Sequence, residues 1–273
     1  MYENIKLIAT DVDGTLVKES SPAITDDQVK LLRKLCDAGI MVCVATGRQY
    51  GSVRKVFAPV ERELFFIAEN GAHILKGGET LAHTAMKRED VVAIMTKLRT
   101  LYPEGCHVVA STTNGCFLES KDEAFITLLR DGYRNDVTLT DDVLGEDAEF
   151  VKLAVYRKGS IREIGENDLV PNWKDRVKAT MAGEEWVDFM DSSVDKGKGL
   201  ESLALHLSLL PEQVMSFGDN ENDLGMLLFA GIGCAVGNAV DKVKAQADMV
   251  CPPYWEQGVD SVLRRLLEER RIG

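Results

Sequence analysis

The sequence lacks a long apolar run: residues 5–9, Ile-Lys-Leu-Ile-Ala, are broken by Lys6 and soon meet Asp11, so neither a signal peptide nor a membrane anchor fits there. It also lacks a Cys-x-x-Cys pair. The six cysteines, Cys36, Cys43, Cys106, Cys116, Cys234 and Cys251, are scattered and several lie in apolar runs, which favours buried free thiols over a disulfide framework. The four histidines, His73, His83, His107 and His206, have no metal-ligand spacing. No low-complexity tract or fixed-period repeat is present, which excludes a disordered chain, a solenoid and a propeller. Positive charge is scarce: 32 Lys and Arg against 44 Asp and Glu leave a net charge of -12, a field that repels nucleic acid and anionic membranes. A phosphate ligand would therefore need locally placed cations, and the cytoplasm is the expected location.

What is present is the material of a folded chain, 45% hydrophobic and 28% charged over 273 residues. That length exceeds the usual domain mode of ~100–150 residues, so one large or two moderate domains are expected. The first hundred residues alternate strand-like and helix-like segments: strand 5–10, helix 25–38, strand 41–45 and strand 64–68, the rhythm of βαβ units and a parallel sheet. Thr25 followed by Gln28 forms a capping box at the helix start, and Gly39 ends the helix. Segments 72–75 and 80–84, flanking Lys76-Gly77-Gly78-Glu79, predict a hairpin that leads away from the sheet. A helix over 88–101 and short strands at 107–110, 116–119, 151–156, 177–181 and 186–190 predict an inserted α/β domain. Strands 214–217 and 232–236, separated by a helix starting near Glu221, resume the first domain. The boundaries are 1–80 and 191–273 for the core and 81–190 for the insertion.

The chemistry gathers at strand ends. Asp11-Val12-Asp13-Gly14-Thr15 follows the first strand, where doubly wound sheets bind ligands. An EF-hand loop would need glycine at position six and glutamate at position twelve, where this chain has Leu16 and Pro22. Gly218-Asp219-Asn220-Glu221-Asn222-Asp223 follows another apolar strand. Helix capping accounts for one or two of its acids, not for their density. Two separate acidic clusters, each at the end of a strand, would repel unless a hard divalent cation lay between them, and oxygen ligands suit magnesium. Thr46-Gly47-Arg48, expected to open a helix, offers a hydroxyl and amides to an anion, and Lys196 supplies positive charge. The glycines of 231–237 are misplaced for a dinucleotide fingerprint, and Lys198 lacks the remainder of a phosphate-binding P-loop. Trp186, Phe189 and Met190 fit either a cavity wall or the insertion's own core; Glu184, Glu185 and Asp188 are expected in solvent.

In order and spacing, these four segments resemble the motif set of the haloacid dehalogenase superfamily. Glu69-Asn70-Gly71-Ala72, Gly237-Asn238-Ala239 and Gln257-Gly258-Val259 are similar to its Cof-type branch. The resemblance implies a doubly wound α/β core, Rossmann-like, with an inserted α/β cap that closes over the site and sets substrate size. It implies Asp11 as nucleophile, Asp13 as acid and base, and Thr46, Gly47, Lys196 and Asn222 as substrate contacts, with Thr46 and Lys196 counted among the catalytic residues. The implied cofactor is Mg2+, held by Asp11, the carbonyl of Asp13, Asp219 and Asp223, with the order of Asn222 and Asp223 around the metal left open. The implied partner is a small phosphorylated metabolite, a sugar phosphate or a phosphorylated cofactor. A phosphomutase would share every motif, and a phosphometabolite sensor would share the fold without needing Asp13.

Overall fold

A computed structural model describes residues 2–19, 21–102 and 104–272. In chain order the strands are β1 (Leu7–Thr10), β2 (Met41–Ala45), β3 (Phe65–Ala68), β4 (His73–Lys76), β5 (Glu79–His83), β6 (His107–Thr112), β7 (Gly115–Leu118), β8 (Val137–Leu139), β9 (Lys152–Tyr156), β10 (Val177–Met181), β11 (Trp186–Asp191), β12 (Val214–Gly218), β13 (Ile232–Val236) and β14 (Met249–Cys251). The chain divides into two compact units, one of residues 1–48, 53–82 and 195–273, the other of residues 49–52 and 83–194. Among the described residues no helix is long and apolar enough to cross a membrane.

The first unit is built on a sheet ordered β14-β13-β12-β1-β2-β3-β4-β5. The six strands from β14 to β3 are parallel. β1, β3 and β12 are buried along their whole length, as expected of strands covered on both faces, which is why their sequences are apolar but for Thr10 and Ser216, whose buried hydroxyls donate to backbone carbonyls. Thr10 lies level with Val44 on one side and Phe217 on the other, so the chain leaves β1, β2 and β12 at one edge of the sheet. The expected hairpin forms, but it does not leave the sheet: β4 pairs antiparallel with β3 and β5 continues the same sheet outward. The two-residue turn at Gly77 and Gly78, both at positive φ, reverses the chain too tightly for it to go elsewhere.

The helix over Asp26–Asp37 has the predicted capping box, with the Gln28 amide N–H donating to Thr25 Oγ1 at 3.2 Å. Gly39 beyond its end sits at φ +76, a conformation natural to glycine. On one face of the sheet, Leu200, Leu203 and Ala204 of the helix Lys196–His206 pack on Leu7, Ala9, Cys43, Ile67 and Val214. That helix begins against backbone: a Cβ on Gly197 would lie 2.3 Å from the carbonyl carbon of Gly225.

The second unit carries a sheet ordered β10-β11-β9-β6-β7-β8. All its pairings are antiparallel except β7 with β8. One face is sealed by the helix Arg88–Leu101 and by residues 161–173, around Phe150, Leu153, Val187 and Phe189. On the other, Phe125, Ile126 and Leu129 cover Val109, Leu118, Ala154 and Tyr156. Phe189 and Met190 are buried, while Trp186 is half-buried and donates from Nε1 to the Tyr133 hydroxyl at 3.1 Å. Asp188 departs from its expected solvated position: it is 6% exposed, with Lys152 Nζ 3.6 Å away on the neighbouring strand. Alternation does not expose it, because β11 is buried on both faces from Val187 to Met190, and Asp188 shares its face with the buried cross-strand neighbour Ala154. Glu184 is exposed and pairs with Arg162, whereas Glu185 is half-buried and accepts the Gly159 amide.

All six cysteines are free, four of them buried. Gly197→Ala is expected to cost about 1–3 kcal/mol, since neither backbone can yield as a flexible side chain would. A thermal unfolding curve superimposable on the parent's would refute that close approach.

Candidate active site

The parallel sheet assembles the site from residues far apart in sequence. Asp11 follows β1, Thr46 follows β2, Glu69 and Asn70 follow β3, and Asp219 follows β12, all at one edge. Lys196 is the first residue of its helix, and Asp195 caps that helix by accepting from the Gly197 amide at 2.8 Å. The Lys196 side chain is 1% exposed, and its Nζ donates to Asp11 Oδ1 at 2.6 Å and to Asp223 Oδ1 at 2.7 Å. The other oxygen of Asp223 accepts the amides of Asp219 and Asn220 at 3.0 and 3.1 Å. This recoil tightens the start of the predicted helix: Glu221–Asp223 form a 3-10 turn, and the α-helix begins at Leu224.

Asp219 is held by Thr15, whose Oγ1 donates to Oδ1 at 2.8 Å. Gly14, at φ +83, makes room for it, because a Cβ there would stand 2.7 Å from Asp219 Oδ2. Asn238 Nδ2 donates to the Gly14 carbonyl at 2.7 Å, fixing the loop from its far side. Asp11, Asp219 and Asp223 each offer an oxygen, and these lie within 4.8 Å of one another. Three carboxylates against the single Lys196 ammonium leave two formal negative charges. Hard oxygen donors with that surplus match a divalent cation such as magnesium.

Burial pushes the Asp11 carboxyl up to about 8; the Lys196 ammonium pulls it back, while Asp223 and Asp219 push it further. Asp219 is raised chiefly by burial, with the Thr15 hydrogen bond opposing. Burial pulls Lys196 down, yet Asp11 and Asp223 outweigh it and hold the ammonium above its ordinary value. Lys196 therefore stays charged.

Asp13 stands outside the acidic trio. Its carboxylate is gripped by Arg48, with Nε on Oδ2 at 2.7 Å and Nη2 on Oδ1 at 2.5 Å. Thr46 is buried, and its Oγ1 accepts the Arg48 amide at 3.1 Å. The turn holding Thr46, Gly47 and Arg48 does not open a helix, since the next one starts at Tyr50. Glu69 and Asn70, both at positive φ, lace this turn from β3: the Asn70 amide donates to Thr46 O at 2.9 Å and the Glu69 amide to Arg48 O at 3.1 Å. Asn222 Nδ2 donates to Asn70 Oδ1 at 3.2 Å. Sequence reasoning assigned no part to Arg48, Thr15 or Asn70. Arg48 had one legible signal, a cation two residues after a strand-end threonine; a hydroxyl or amide in a loop carries none.

Because folding favours the protonated form of Asp11, its contribution to stability is full below the ordinary carboxylate range of about 4 and is lost as pH rises through about 8. In chelator, the melting temperature should fall between about pH 4 and 8, and Asp11→Asn should flatten that slope. An unchanged slope in the variant would assign it to other groups.

A model of the haloacid dehalogenase-like hydrolases matches residues 8–263. The 5-amino-6-(5-phospho-D-ribitylamino)uracil phosphatase YitU of Bacillus subtilis is 29% identical over 265 residues, covering 94% of this chain and 96% of that one. The phosphoglycolate phosphatase of Methanopyrus kandleri is 28% identical over 263 residues, covering 96% and 97%. A solved structure from Eubacterium rectale superimposes with a TM-score of 0.88 at 37% identity, covering 96% of this chain and 98% of its own. With its motifs gathered at one edge of a doubly wound sheet, the chain belongs to the haloacid dehalogenase-like hydrolases, as a Cof-type phosphatase.

Proposed function

We propose that the protein hydrolyses a small phosphate monoester, a sugar phosphate or a phosphorylated cofactor, through an aspartyl phosphate on Asp11 with magnesium as cofactor. The observation that carries this reading is the buried Lys196 ammonium shared by Asp11 and Asp223, with Asp219 alongside. An anionic nucleophile approaches an anionic phosphate only where cations offset the charge of both.

In the first step a carboxylate oxygen of Asp11 attacks phosphorus, the ester P–O bond breaks, and Asp13 delivers a proton to the departing oxygen. In the second, Asp13 takes a proton from water, the water oxygen bonds to phosphorus, and the bond to Asp11 breaks to release inorganic phosphate. Thr46, the Gly47 amide and Lys196 hold the phosphoryl oxygens, and Asn222 contacts the substrate. Asp11, Asp219, Asp223 and the Asp13 carbonyl would hold magnesium, which would supply the remaining positive charge. Arg48 holds both Asp13 oxygens, so proton delivery requires its grip to loosen. The names of the relatives suggest where a substrate screen should begin: ribitylaminouracil phosphate and phosphoglycolate.

The test is phosphate release from a panel of monoesters, in magnesium and in chelator. Asp11→Ala should release none, and continued turnover would remove Asp11 as nucleophile. Asp13→Asn should lose roughly 10²–10⁴-fold in turnover while magnesium binding persists, because the proposed ligand is its backbone carbonyl. Wild-type rates in that variant would exclude Asp13 from proton transfer. An isomeric phosphate as product would indicate a mutase.

A further inference from the structure

Asn70 has no part in the chemistry above, yet it touches two segments of the site. It follows β3 at φ 56 and ψ 26, a left-handed conformation that asparagine and glycine adopt with least strain. Its amide donates to Thr46 O at 2.9 Å, which fixes it beside the turn proposed to hold the phosphoryl group. Its side-chain amide lies flat against Gly47: a Cβ there would stand 3.1 to 3.4 Å from Oδ1, Nδ2 and Cγ of Asn70. From that position its Oδ1 accepts Asn222 Nδ2 at 3.2 Å.

Asn222 needs such a partner. It sits in the middle of the 3-10 turn Glu221–Asp223 and is exposed, so the turn's backbone does not by itself choose a rotamer for it. Neighbouring Asp223 is fixed by three hydrogen bonds from Lys196 and two amides, and Thr46 is itself buried. Of the residues proposed to meet substrate, Asn222 is the one on a solvent-exposed side chain. A hydrogen bond from a neighbouring loop orders it before substrate arrives.

We propose that Asn70 is a positioning residue: it orients the Asn222 amide toward the phosphate monoester, and Gly47 is glycine partly to leave room for it. This rests on the reading of Asn222 as a substrate contact, and the two can fail separately. The side chain is best removed by Asn70→Gly, which keeps the left-handed backbone without strain, and Asn222→Ala deletes the group it positions.

Steady-state kinetics on p-nitrophenyl phosphate with magnesium, in wild type, both single variants and the double variant, form a complete cycle. Asn222→Ala should raise KM about fivefold, the size of one neutral hydrogen bond. Asn70→Gly should raise KM by a similar factor with kcat within about twofold of wild type and the melting temperature unchanged. The double variant should be no worse than Asn222→Ala alone. If Asn222→Ala leaves KM unaltered, the substrate-contact reading falls and this inference with it. If Asn222→Ala raises KM but Asn70→Gly does not, only the positioning role is overturned. Multiplying effects in the double variant would also overturn it, because Asn70 would then act independently of Asn222.

Discussion

The shared proton donor at the centre of the first unit, Lys196 Nζ between Asp11 and Asp223, is the interaction on which the rest of the site depends. A buried ammonium is costly to desolvate, and so is each buried carboxylate; the group persists because every charge has a hydrogen-bonded partner. Removing one member of such a set leaves an uncompensated charge, which is far more damaging than never having buried the pair. The close approach of Gly197 to the Gly225 backbone, and the cap that Asp195 places on Gly197, are the local means by which Lys196 reaches its position.

A second constraint is the surplus of negative charge. The same carboxylates that attract Lys196 repel one another, which burial sharpens by raising Asp11 and Asp219. Thr15 and the amides of Asp219 and Asn220 aim the oxygens, so their common region is set before any cation arrives. The proposed phosphate site of this acidic protein is thus reconciled with the net charge by buried, fixed groups and not by a basic surface.

Much of this was legible in the sequence because parallel strands buried on both faces are near-continuous apolar runs, and the residues just after each run land on the same edge. Asp11, Thr46 and Asp219 could be placed together on that ground, and β2, β10 and β13 have the predicted limits. The capping box at Thr25 is equally local and equally readable. Where the reading missed, the deciding contact was remote. The hairpin of β4 and β5 extends the sheet because β3 presents it an open edge, and Asp188 is buried because both faces of β11 are covered, with Lys152 on the next strand offsetting its charge. The turn after β2 stays non-helical while amides from the segment after β3 occupy its carbonyls.

The sequence by itself determined the alternation of strands and helices, the motif residues and their order, and through them the family, because each rests on periodicity or on neighbours within a few positions. Only the tertiary structure decided which carboxylates share Lys196, that Asp13 is gripped by Arg48 and stands apart from them, and that Asn70 reaches Asn222. Those pairings span tens to hundreds of residues along the chain, and the geometry of hydrogen bonds across neighbouring loops exists only once the parallel sheet has brought its strand ends together.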